Sequence, residues 1–139
     1  MFGKGVNPLP DIESFIDLAY EERLDVIDLR SDVGFSDHDS TYLLDTKMSC
    51  LNKGLAIGYL ATTGHFVGTE EELQTKLDRI RNDLDIAVKL GAPMVRVFCG
   101  ETPEDAAAGK REIECFQEAC DEAAQRGIAV GLQNHPCTG

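Results

Sequence analysis

No apolar run in this chain approaches the roughly 20 residues that a helical membrane span requires, so no membrane partner is expected. The opening stretch, MFGKGVNPLPD, lacks the apolar middle of a secretory signal. Cations are scarce: 13 Lys and Arg stand against 25 Asp and Glu, for a net charge of −12. Such a surface repels phosphate backbones, which argues against nucleic acid as a general partner; its plain role is solubility. No C-x-x-C spacing occurs, and the cysteines at 50, 99, 115, 120 and 137 are odd in number. Neither a disulfide framework nor a zinc ribbon is expected, and reduced thiols in a cytoplasmic protein fit best. A glycine-rich phosphate loop is missing too, which weighs against an open-sheet regulatory domain.

What is present is an ordinary globular composition of one domain's length: 139 residues, 42% hydrophobic and 27% charged. Three stretches share one grammar. LNKG precedes LAIGYLA, KLGA precedes PMVRVFC, and AQRG precedes IAVGLQN. In each, an amphipathic helix ends at a glycine (Gly54, Gly91, Gly127) suited to the left-handed closing position, and a mostly apolar strand follows. The separations of 37 and 36 residues make this a repeat of helix then strand.

The periodicity predicts a helix over 70–90, with Leu73, Leu77, Ile80, Leu84 and Ala87 along one stripe. Thr69 and Glu72 make its capping box. A second helix, near 110–126, sets Ile113, Phe116, Cys120 and Ala123 on one side; Thr102-Pro103 upstream reads as its start. Asp11 caps a first helix burying Ile12, Phe15, Ile16 and Ala19, and Leu24 to Arg30 reads as a strand. A helix near 40–53 is expected to bury Leu44, Met48 and Leu51. Continuous apolar strands alternating with helices predict an α/β fold with a parallel sheet and right-handed crossovers. Two architectures fit: a small doubly wound sheet, or a partial (β/α)8 barrel of about four β/α units, since a full barrel takes roughly 250 residues.

In both architectures function gathers at the C-terminal ends of the strands. Those tips carry Arg30, a following loop with His65, Arg96 within VRVF, and Gln133, Asn134 and His135 at the last strand. Period-two alternation puts Asp28 with Arg30 on one face and Gln133 with His135 on one face. A charged Arg96 inside a strand needs a partner, and Asp28 is the candidate.

With these tips in view the chain resembles the sugar phosphate isomerase/epimerase group of xylose-isomerase-like TIM barrels, which also includes the endonuclease IV branch. LDVIDLR (24–30), AVKLGAPMVRVFCG (87–100) and GIAVGLQNHP (127–136) carry the likeness, which spans nearly the whole chain. The resemblance implies a barrel lacking its opening strand and last three strand–helix units. It also implies sugar or sugar phosphate substrates, a divalent metal (Mg, Mn or Zn) at the strand tips, and proton transfer next to a carbonyl. Substrate-binding roles fall to Arg30, His65, Arg96, Asn134 and His135, and a metal-ligand role to Gln133. Better-studied members place a glutamate where Gln133 stands. An amide oxygen still coordinates a hard cation but accepts no proton.

The expected function is therefore a metal-assisted sugar isomerase or epimerase acting through a larger parent, the 139 residues alone being inactive. Two alternatives remain: a non-catalytic sugar-binding fragment, and an abasic-site nuclease, disfavoured by Cys99 at a tip where that branch uses histidine. A truncated gene product or a half-barrel that pairs with its own copy would both account for the exposed sheet edges.

Overall fold

A computed structural model describes residues 11–100 and 106–134. Eight elements alternate: α1 (Ile12–Glu21), β1 (Val26–Arg30), α2 (Ser40–Asn52), β2 (Ala56–His65), α3 (Glu70–Leu90), β3 (Met94–Phe98), α4 (Ala106–Gln125) and β4 (Ala129–Gln133). All strands are parallel, in the order β1-β2-β3-β4. A doubly wound sheet reverses strand order at its switch point. This sheet never does, and successive helices pack side by side, α1 on α2, α2 on α3 and α3 on α4. The architecture is that of a partial (β/α)8 barrel with four β/α units.

Local chemistry explains the elements. Asp11 accepts the backbone N–H of Ser14 at 2.7 Å and caps α1, while Asp39 does the same for Thr41 and Tyr42 at the start of α2. Thr69 and Glu72 form the expected reciprocal box at α3, which closes at Gly91 with φ 78°. Gly54 and Gly127 take the same left-handed conformation, so the repeated glycine has one job in all three units. Three arginines tie α3 to α4: Arg111 to Glu70, Arg81 to Glu118 and Glu122, and Arg126 to Asp85.

The core lies between the helices and one face of the sheet. Ile27 and Leu29 of β1, Leu60 of β2, and Val95 and Val97 of β3 meet Leu73, Leu77, Ile80, Leu84 and Ala87 of α3. The α3 stripe is the one expected from periodicity.

Two other helices are turned differently from their apolar stripes. On α2, Leu44, Met48 and Leu51 are 51%, 44% and 56% exposed, and the buried positions are Leu43, Thr46 and Cys50. Thr46 is tolerated inside because its hydroxyl donates to the Tyr42 carbonyl at 2.9 Å. On α4, Ile113 is exposed and Phe116 and Cys120 are half-buried, while Cys115, Ala119 and Ala123 face the sheet. Small side chains let this helix sit close to the strands, which an apolarity count overlooks.

Strand limits also moved. β1 starts at Val26, because Arg23 (φ 57°) makes a turn and the Leu24 N–H still donates to Ala19 of α1. β2 runs on to His65, so the expected loop is strand there. The Thr102-Pro103 start lies outside the described residues.

Candidate functional site

Burial alternates along the strands and separates two faces. Ile27 and Leu29 are buried while Val26, Asp28 and Arg30 are exposed; Val95 and Val97 are buried while Met94, Arg96 and Phe98 are only partly so. The second set looks away from the helices, toward what is the lumen in a closed barrel.

Register aligns this face into rows. Arg30 lies beside Ala61, Ala61 beside Arg96, and Arg96 beside Gly131. One step nearer the strand ends, His65 lies beside Phe98 and Phe98 beside Gln133. Hydrogen-bonded neighbours in a parallel sheet point to the same side, with strands about 4.8 Å apart. Arg30, His65, Arg96 and Gln133 thus share one face and one end of the sheet. Backbone pairing continues to the rim: the Ser31 N–H donates to Ala61 and the Cys99 N–H to Gln133, each at 3.1 Å.

Two glycines keep the face open. A Cβ on Gly58 would lie 2.5 Å from Asp28 Oδ1, and one on Gly131 would lie 2.8 Å from Met94 Sδ. Each lets a neighbouring side chain fold across the strand.

Arg96 departs from expectation. No ion pair with Asp28 forms among the described residues. Its guanidinium instead stacks on the Phe98 ring, 4.1 Å from the centroid. Its Nε and Nη1 atoms are buried without a hydrogen-bond partner. Stacking satisfies the flat face of the cation and leaves those N–H donors unmet. Asp28 makes no ion pair among the described residues either; the Gly58 gap lets it lie over β2. Arg30 turns outward and donates Nε and Nη2 to both carboxylate oxygens of Asp32, at 3.1 and 3.0 Å. That bidentate bond holds the Asp32 carboxyl below the ordinary aspartate range.

His65 packs beside the backbone of Gly100, whose φ is 80°. Asn134 follows the end of β4 and is exposed. His135 lies outside the described residues. Beside β1, a cleft of about 150 Å³ is bounded by Asp28, Arg30, Phe15 and Val33.

One titratable group escaped the reading of the sequence. Asp83, on α3, is 3% exposed. The Ser31 hydroxyl bonds to its carboxylate, Oδ2 has no partner, and burial pushes its pKa up. The signal was there: position 83 falls inside the apolar stripe, three residues after Ile80.

Comparison with known proteins fits this geometry. Residues 15–139 match the family described as xylose isomerase-like TIM barrel. No curated protein matches the chain. Among solved structures, the IolI protein with a bound zinc atom superposes with a TM-score of 0.74 at 16% identity, over 88% of this chain and 46% of that one. The D-psicose 3-epimerase of Clostridium cellulolyticum H10, solved with D-tagatose, gives 0.71 at 12% identity, over 86% and 45%. A xylose isomerase domain protein from Planctomyces limnophilus gives 0.71 at 14%, over 84% and 46%. The chain spans a little under half the length of these structures.

Proposed function

This chain belongs to the xylose isomerase-like TIM barrel family, and we propose that its strand tips form the sugar-binding half of an isomerase or epimerase site. The observation that carries this reading is the pair of rows Arg30–Ala61–Arg96 and His65–Phe98–Gln133 on the helix-free face. Sugars present many hydroxyls that both donate and accept. Gln133 and Asn134 match them with amide groups of both kinds, and His65 adds a ring that does the same. Arg96 brings buried, unmet donors. Once the guanidinium lifts off Phe98 and exposes them, a sugar hydroxyl or phosphate oxygen satisfies them without breaking another hydrogen bond. Phe98 gives a flat apolar surface in the middle of the row.

A proton removed next to a carbonyl leaves negative charge on oxygen, which a guanidinium such as that of Arg96 offsets. Gln133 takes no proton, so the base comes from a residue outside this half. The present residues do not fit a divalent ion on their own. Among the described residues no group of three His, Cys, Asp or Glu side chains converges, and Gln133 offers one neutral oxygen. Recognition here rests on hydrogen bonds and guanidinium charge.

D-tagatose and D-fructose 6-phosphate, titrated separately against the isotope-labelled chain, test this. Amide shifts are expected at Arg96, Phe98 and Gln133, and Arg96→Met should abolish the phosphate response. Shifts confined to the helix side, or none up to the solubility limit, would sink the reading. The amide at 133 also favours a binder without turnover. Gln133→Glu restores a carboxylate there; a gain in Mg or Mn affinity would mark a site that has lost its catalytic group.

A further inference from the structure

The tip of β1 rests on the one carboxylate buried in the core among the described residues, that of Asp83. Three consecutive residues leave the strand there with different tasks. Arg30 and Asp32 stand at the rim and clasp each other at 3.1 and 3.0 Å. Ser31, between them, turns inward and is 4% exposed. It is held at two points: its N–H donates to the Ala61 carbonyl at 3.1 Å, and its hydroxyl bonds to Asp83 on α3. The Oδ2 atom of that carboxyl is buried without a partner.

A carboxylate ionised at such a place is costly, because a single donor replaces the several that it has in water. Water reaches Oδ2 only if part of its cover moves. α3 is anchored by the buried Leu77, Ile80 and Leu84 and by the arginine bridges to α4. The tip hangs on the two bonds of Ser31, so the tip is the part that gives.

We propose that Asp83 is a proton-linked positioning residue for the rim: neutral, it lets Ser31 seat the β1 tip against the core; ionised, it draws in water, lifts Ser31 off Ala61 and loosens the Arg30–Asp32 edge of the mouth. That this edge serves a ligand rests on the sugar reading; the coupling itself does not. Its direction follows from burial. The seated tip holds the Asp83 proton more tightly than a lifted tip, in which the carboxyl is hydrated and returns toward the ordinary 3.8. Seating is therefore fully favoured below 3.8 and weakens as pH rises through the raised value of the seated state. Three charges act on the carboxyl: Arg79 of α3 and His38 of the β1–α2 loop favour ionisation, and Asp32 opposes it. Lifting carries Asp32 away, which works in the same sense as hydration. His38 rides on the same loop and works against it, so the test replaces it.

Hydrogen exchange of the Ser31 amide reads the seating directly. The Cys99 amide, bonded to Gln133 at the tip of β3 with the same 3.1 Å length, is the internal control. In the His38→Gln chain, Ser31 protection is corrected for the chemical exchange rate of a free amide. Relative to Cys99 it should fall by up to about tenfold per pH unit and then level. Asp83→Asn should abolish that difference. Global unfolding exposes both amides, so a parallel fall at Ser31 and Cys99 would overturn the proposal. Protection indifferent to pH, or a fall that survives Asp83→Asn, would do the same. Should Asp83→Asn not fold, Ser31→Ala removes the donor that favours the ionised form. The levelling point of the amide at position 31 should then move to higher pH, and an unmoved point would overturn the coupling. D-tagatose added at both ends of the pH series should raise Ser31 protection, since a ligand of the seated rim stabilises it. A pH-dependent tip that ignores the sugar leaves the coupling standing and removes the sugar reading from this edge; a sugar response without pH dependence does the reverse.

Discussion

Asp83 provides a test of the packing that positions β1 against α3. Its carboxyl is 3% exposed, bonded by the Ser31 hydroxyl, and carries an Oδ2 atom without a partner. Burial raises its pKa, and the charges that face it are Arg79 and His38, which pull it down, and Asp32, which pushes it up. The native state therefore holds this proton more tightly than the unfolded chain does. The stabilisation is complete below the ordinary aspartate value of 3.8 and is lost as pH rises through the raised native value. Asp83→Asn removes the proton equilibrium. Whatever fixed offset the amide introduces, the stability of the variant minus that of the parent should climb with pH across this window. The limiting slope is about 1.4 kcal/mol per pH unit, and the difference is flat above the native value. Urea unfolding followed by circular dichroism at half-unit pH steps measures it. Repeating the pair in a His38→Gln background removes the imidazole whose charge acts on this carboxyl. A difference independent of pH, or one that falls with pH, would refute the placement of this carboxyl in the core.

Other expectations follow from the same packing. Leu84→Ala, at a fully buried position on α3, should cost about 2–5 kcal/mol in urea unfolding. Leu44→Ala, on the outward side of α2, should stay within about 0.5 kcal/mol; equal losses at the two sites would contradict the rotation of α2. Arg81→Ala breaks the bridges to Glu118 and Glu122 and should lower stability by about 1 kcal/mol or less, an effect that shrinks in high salt. The thiols of Cys50 and Cys115 are buried and their pKa values raised by burial. A thiol reagent should reach them only on unfolding, whereas fast labelling of both would mean a looser core.

Much of this was legible because local signals agreed. The α3 stripe, its Thr69–Glu72 box and the closing glycines all pointed to one arrangement, and the sheet followed from their repetition. The turn of α2 and α4 was not legible. α2 lies between α1 and α3 while α4 packs on α3 alone; each buries whichever side meets the strands, and a small residue such as Ala119 wins there by allowing close approach. At the site, the strand-tip positions of Arg30, Arg96 and Gln133 could be read from period-two alternation. The length of β2, which brings His65 into the row, depends on two register irregularities against its neighbours that no pattern of apolar residues announces. The partner of Arg96 was missed because an aromatic two residues along the same strand, Phe98, was not weighed against a carboxylate.

His65, Phe98 and Gln133 stand side by side on the helix-free face. Replacing Phe98→His and Gln133→His together puts three imidazoles in one row, each strand about 4.8 Å from the next. Zinc titrated into the double variant should bind in a stoichiometric step that the parent lacks and that His65→Ala removes. Zinc uptake no different from the parent's would contradict the row, and with it the shared mouth.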